Sequence, residues 1–166
     1  MPEVGMWVDS LWGAAKNHPE QAYYHRVRRV QDAPPHLAKD DRDPTRMPNA
    51  EGKAALIERW GYTCAFCGIP VIREEVRDRM HKAYPDDLRW GKPNATQHAA
   101  FQCLWLQYDH VLPHARGGSN GPNNIVITCA GCNYGSRDGT LEEQGLIDPR
   151  ERSPIKTSWD GLERFR

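Results

Sequence analysis

Four of the five cysteines in this 166-residue chain fall into two C-x-x-C pairs, Cys64 with Cys67 in CAFC and Cys129 with Cys132 in CAGC. Two intervening residues let one tight turn aim both sulfurs at a single ion, and two such turns complete a tetrahedron with metal–sulfur distances of about 2.3 Å. The chemistry this spacing points to is a four-thiolate zinc site. A redox C-x-x-C and a set of buried small hydrophobes are the competing readings. Four thiolates leave no open coordination position, so the zinc is expected to be structural. Cys103 stands alone and is expected in the core, where a lone cysteine behaves as a small apolar residue. Ahead of and into the second pair runs YDHVLPHARGGSNGPNNIVITCAGCN, which gathers Asp109, His110, His114, Asn124 and Asn133 in one stretch.

These residues need elements to hold them. Asn49 can cap a helix through about Trp60, with Ala54, Ala55, Leu56 and Trp60 as its apolar stripe and Gly61 as its stop. That helix delivers the chain into the first cysteine pair. In IREEVRDRMHKAY, Ile72, Val76, Met80 and Tyr84 recur every four residues, which predicts another helix whose Arg and Glu residues form a solvated face. Asn94 with Gln97 reads as a capping box for a short helix, and the change to strand is placed near Phe101, where FQCLWLQYDH becomes aromatic and aliphatic. HARGGSNGPNN is loop, IVIT is a short buried strand, and a helix should begin at the second cysteine pair. Thr140 with Glu143 caps a further short helix, and Trp159 and Leu162 anchor the tail.

The residues from Asp109 to Asn133 resemble the HNH endonucleases, also called ββα-metal nucleases. The pattern is an Asp-His pair ending a strand, a Gly-Gly loop, an Asn before a second strand, then C-x-x-C followed by His or Asn. The chain offers Asp109 and His110, Gly117 and Gly118, Asn124 before Ile125, then Cys129, Cys132 and Asn133. The resemblance covers about 62–138. It implies an α+β fold, a treble-clef zinc-bound ββα-metal core with flanking α-helices. The segment between Cys67 and Asp109 is longer than in a minimal member, so the helix at 72–84 is an insertion.

By resemblance His110 is the general base of phosphodiester hydrolysis. Its ordinary pKa of about 6.5 leaves it able to accept a proton at neutral pH. Asp109 and the side-chain oxygen of Asn133 are hard ligands suited to a catalytic Mg²⁺ or Mn²⁺, separate from the zinc. Asn124 is expected to fix the loop and hold His110 in orientation through hydrogen bonds. His114 either contacts a phosphate or covers the loop. Arg116 and Arg137 are the first candidates for nucleic-acid backbone contacts, and Gly117 and Gly118 for close approach of a duplex.

Composition sets the frame. Lys plus Arg equals Asp plus Glu, 22 each, so a nucleic-acid surface has to be a local patch. Charged residues make 27% of the chain and mean hydropathy is −0.78, which argues against both a membrane span and a disordered polyelectrolyte. The start, MPEVGMWVDSLWG, lacks a basic region followed by an apolar one, and a reducing, cytoplasmic location is expected. The length suits one domain: an N-terminal helix and linker over 1–48, the zinc-bound core over 49–140, and a tail over 141–166. The N-terminal helix is expected over Asn17–Val30, with His25, Arg26, Arg28 and Arg29 on a face that is either solvated or set against phosphate. The expected activity is DNA hydrolysis. An RNA-directed nuclease and a binding module that does not cut are the rivals, the motif being a prior and not an activity.

Overall fold

The computed structural model describes residues 30–166. The expected helix at 17–30, with its basic face, lies outside the described residues apart from Val30. The architecture is α+β. Helices α1 (Ala50–Trp60), α2 (Glu74–Ala83) and α3 (Ala99–Cys103) precede strand β1 (Leu106–His110). Strand β2 (Ile125–Cys129), α4 (Ala130–Ser136) and α5 (Leu141–Gln144) follow, with short 3₁₀ turns between. The two strands are antiparallel, pairing Leu106 with Cys129 and His110 with Ile125.

Each element has a local cause. The Asn49 side chain accepts from Gly52 N at 2.9 Å and starts α1; Gly61, at φ 67°, ends it. Its buried contacts are Leu56 and Trp60 with Ile57 beside them, whereas Ala54 and Ala55 face solvent. Cys64 N donates to Ile69 O and Gly68 N to Cys64 O, closing the first cysteine turn, and Ala65 N donates to Ile127 O, tying that turn to β2. β2 is buried along its whole length. With Leu56, Trp60, Val71 and Leu106 it forms the main core.

Helix α2 and the chain after it build a second cluster of Ile72, Val76 and Phe101, against which Met80, Trp90, Trp159 and Leu162 pack. The C-terminal tail is fastened there: Trp159 Nε1 donates to Val71 O at 3.0 Å, and Glu163 takes two hydrogen bonds from Arg73. Ile72 joins the outer edge of β1 through Ile72 N to Leu104 O and Leu106 N to Ile72 O.

Several sequence expectations differ from the structure here. Arg77 is not on a solvated face; it is 3% exposed, held over the rings of Trp90 and Trp105. Tyr84, expected in the α2 stripe, is exposed because the helix ends at Ala83. Asn94 begins only a 3₁₀ turn without a side-chain cap, and the α-helix starts later, where His98 Nδ1 accepts from Ala100 N. Phe101 therefore sits in a helix, and the strand begins at Leu106. Cys103 is exposed, not in the core, because it falls on the open side of the last turn of α3. The box at Thr140 is present, both hydrogen bonds formed with Glu143.

No helix among the described residues is long and apolar enough to cross a membrane.

Candidate functional site

Cys64, Cys67, Cys129 and Cys132 come together so that all four sulfurs lie within 4.8 Å of one another. A tetrahedron with arms of about 2.3 Å has edges near 3.8 Å, and the Cys67 and Cys129 sulfurs are 3.7 Å apart. The residues present therefore fit a metal ion such as zinc. Their protonation points the same way. The sulfurs of Cys129 and then Cys132 hold the Cys64 thiol far below its ordinary range, and the same crowding, from Cys129 first, drives the Cys132 thiol far up. Such a cluster gains most from a divalent cation that lets every sulfur ionise. Cys129 also shapes the backbone, because its sulfur accepts from Cys132 N at 3.4 Å, so the residue that ends β2 caps α4 as well.

Strand β1 and helix α4 frame a cleft of about 430 Å³ that is lined by Asp109, His110, His114, Asn133 and Arg137. Successive residues of a strand point to opposite faces, yet Asp109 and His110 both reach this cleft because it lies across the end of β1. Asn133 and Ser136 lie one turn apart on α4 and face Gln107 and Asp109. Asn133 Nδ2 donates to Gln107 Oε1 at 3.3 Å, and Ser136 Oγ to Asp109 Oδ2 at 3.4 Å. Gln107 Nε2 in turn donates to Leu106 O. This chain fixes the Asn133 amide and leaves its oxygen free for a cation. The donor set of one carboxylate and one amide oxygen fits a hard divalent ion that keeps most of its waters.

Electrostatics separate the two neighbours on β1. Burial raises the Asp109 carboxyl to about 6, against hydrogen bonds from the His110 backbone and Ser136. Burial lowers the His110 imidazole, helped by His114 and Arg46 and opposed by Asp43. A lowered imidazole is neutral at pH 7 and accepts a proton. Its Nε2 is buried and has no partner among the described residues. The rings of His110 and His114 are 5.7 Å apart.

Asn124 is a loop clamp. Its Oδ1 accepts from Leu112 N at 2.8 Å while Nδ2 donates to Leu112 O at 3.0 Å and to Ser119 O at 2.8 Å. It fixes the loop as expected, and its hydrogen bonds reach the chain just beyond His110, with Val111 N donating to Asn124 O at 2.8 Å, and not the His110 ring. Gly118 serves the same loop, since a Cβ there would overlap the Leu112 carbonyl oxygen. The close approach that this glycine allows is to its own chain. Gly117, at φ 83°, ends the turn His114–Arg116.

The two arginines part company. Arg116 is committed internally, with both Glu143 oxygens at 3.0 Å and the carbonyls of Pro34 and Asp138 as acceptors. Its side chain is 10% exposed and these partners draw on Nε, Nη1 and Nη2 alike, so it offers a phosphate less than the exposed Arg137 does. Arg137 is exposed at the cleft, in a backbone conformation at φ 50° that costs a non-glycine residue about 1 kcal/mol or more. His114 Nε2 donates to Asp43 O at 2.8 Å, so it joins the loop to the segment before α1 as well as lining the cleft.

That segment holds the residues the sequence reading missed. Residues 31–48 read as a linker or a loop wrapping the surface; the second holds, since Leu37 N donates to Ala115 O at 2.8 Å, and Lys39, Arg42, Asp43 and Arg46 form one wall of the cleft. The signal available was three basic residues, Lys39, Arg42 and Arg46, among prolines and aspartates, and no periodicity tied them to a site. No family model, curated protein or solved structure matches the chain.

Proposed function

We propose that the chain is a metal-dependent endonuclease of the HNH type that hydrolyses DNA phosphodiester bonds, with the four-cysteine cluster as a structural zinc site in a treble-clef core. The observation that carries this reading is the convergence of Asp109, His110 and Asn133 on one cleft rimmed by Lys39, Arg46 and Arg137. A neutral imidazole, a carboxylate and an oriented amide oxygen among cations meet the needs of phosphodiester hydrolysis: a proton acceptor, cation ligands and a place for phosphate.

In this reading His110 takes the proton from the attacking water. The water oxygen bonds to phosphorus as the bond to the 3′ oxygen breaks, that oxygen takes a proton from solvent water, and the products are a 5′-phosphate and a 3′-hydroxyl. Asp109 and Asn133 would hold Mg²⁺ or Mn²⁺, which supplies Lewis acidity at phosphorus and steadies the leaving oxygen. Arg46 and Arg137 hold the flanking phosphates, and Asn124 and Gly118 keep the loop that carries His114 in register with His110.

The test is incubation of the zinc-loaded protein with supercoiled plasmid, with and without added Mg²⁺ or Mn²⁺. Relaxed or linear product is expected only with added metal, and His110→Ala should abolish it while zinc content and fold persist. Intact plasmid under every condition, or cleavage that survives His110→Ala, would overturn the proposal. Retained binding without cleavage would favour a module that does not cut, and cleavage of RNA alone would move the substrate.

A further inference from the structure

The segment between the two cysteine pairs builds a second pocket, of about 380 Å³, against the neighbouring stripe of α4. Residues on a helix advance by about 100° each, so Asn133 on the cleft side and Tyr134 on the pocket side stand next to each other on α4. Trp90 and Trp105 supply aromatic walls, their ring centroids 5.9 Å apart and nearly perpendicular. Arg77 fixes both, its guanidinium 3.9 Å and 4.7 Å from the two ring centroids. The pocket is thus preformed.

Its polar groups are amides. Gln102 Nε2 donates to Asn94 O at 2.9 Å and to Gln97 Oε1 at 3.1 Å, which orients the Gln102 oxygen as an acceptor. The Asn94 side chain, with a donor and an acceptor, has no partner among the described residues and lines the same pocket. None of the residues lining this pocket is charged, so a phosphate or other anion has nothing to pair with there. Flat aromatic surface with amide donors and acceptors at its rim is the chemistry that takes a nucleobase by its face and its edge.

We propose that this pocket takes one unpaired nucleobase of the strand whose phosphate occupies the cleft across α4. The inference rests on the nuclease reading for its placement and deepens it: the substrate is a strand with at least one base out of the stack.

Cys103 is exposed and lines the pocket, so its thiol reports occupancy. The full-length, zinc-loaded chain without Mg²⁺ is treated with iodoacetamide, and alkylation of Cys103 is followed by mass spectrometry. The probes are a single-stranded DNA oligonucleotide and a matched oligonucleotide with abasic sites throughout. The oligonucleotide with bases is expected to slow Cys103 alkylation about tenfold at saturation while the abasic one leaves it unchanged. Tyr134→Ala, at an exposed position, should weaken the protecting affinity about tenfold, the usual worth of one base stacked on an aromatic ring. Equal protection by both probes, or protection by neither, would overturn the pocket while leaving metal- and His110-dependent cleavage untouched. Base-dependent protection in a protein that never cuts would instead sink the nuclease reading and leave the pocket standing.

Discussion

Asn124→Ala tests the loop that sets His114 against His110. The wild-type side chain makes three hydrogen bonds to backbone groups, of 2.8, 3.0 and 2.8 Å, at a residue 8% exposed. Each contributes about 1 kcal/mol net. The three bonds together are worth about 3 kcal/mol, and because truncation strands the Leu112 N–H and the carbonyls of Leu112 and Ser119, the loss should be at least about that. For a chain of this size that lowers Tm by roughly 6–12 °C. Asn124→Asp sharpens the test. It keeps an acceptor for Leu112 N but places a carboxylate oxygen against two carbonyl oxygens, so it should cost more than alanine although it is nearly isosteric. Urea unfolding of the three proteins at one zinc and one protein concentration makes the comparison, since the metal's mass-action contribution is then common. An alanine variant within about 1 kcal/mol of wild type, or an aspartate variant more stable than alanine, would refute the clamp.

Three further outcomes follow from the same geometry. Metal analysis should find one zinc per chain, and stripping it with a strong chelator, or Cys64→Ser, should abolish cooperative unfolding, because Cys64 and Cys129 are buried in the main core. Asp109 sits at about 6, so the metal-free site holds a proton below that pH. Mg²⁺ binding should then weaken about tenfold for each pH unit below 6 and release a proton, and calorimetry in two buffers should find no release at pH 8. Arg116→Ala should lose about 2 kcal/mol of stability, for its hydrogen bonds to Glu143, and leave the salt dependence of DNA binding unchanged. Arg46→Ala should do the reverse, lowering the salt slope by about 1 with wild-type unfolding.

What could be read from the sequence was local. Capping at Asn49 and Thr140, the stop at Gly61 and the four-cysteine grouping all depend on residues within a few positions, or on a ligand chemistry that declares its own partners. Tyr84 and Asn94 are misplaced by a turn at helix ends, but the larger misplacements are of residues whose surroundings come from afar. Arg77 has the pattern of a solvated helix face until Trp90 and Trp105, contributed by later chain, cover it. Arg116 looks like a free loop arginine until Glu143 arrives from α5. Lys39 and Arg46 look like linker until Leu37 is tied to Ala115 and Asp43 to His114. A charge is the residue type for which this matters most, because burial and pairing change its role while leaving its type the same.

The cluster of thiols and the cleft are one device because of Cys129. It pairs with Leu106 at the far end of the sheet from His110, supplies a sulfur to the four-cysteine group, and caps α4. The angle between β1, which carries Asp109, and α4, which carries Asn133, is therefore set at a residue that a bound ion would fix in place. The first cysteine turn adds the other half of the frame, since Ala65 N bonds to Ile127 O in the middle of β2. Beyond the hydrogen bond from the His110 backbone to Asp109, the side chains of Asp109 and Asn133 have, among the described residues, only the weak contacts with Ser136 and Gln107 to hold them. The proposed cation site, with ligands from a strand and a helix, would need that joint to be rigid, because a misplacement of about 1 Å at a reacting centre can cost a hundredfold in rate. In that proposal the thiolate site supplies geometry to the cleft, because it holds the joint on which Asp109 and Asn133 depend.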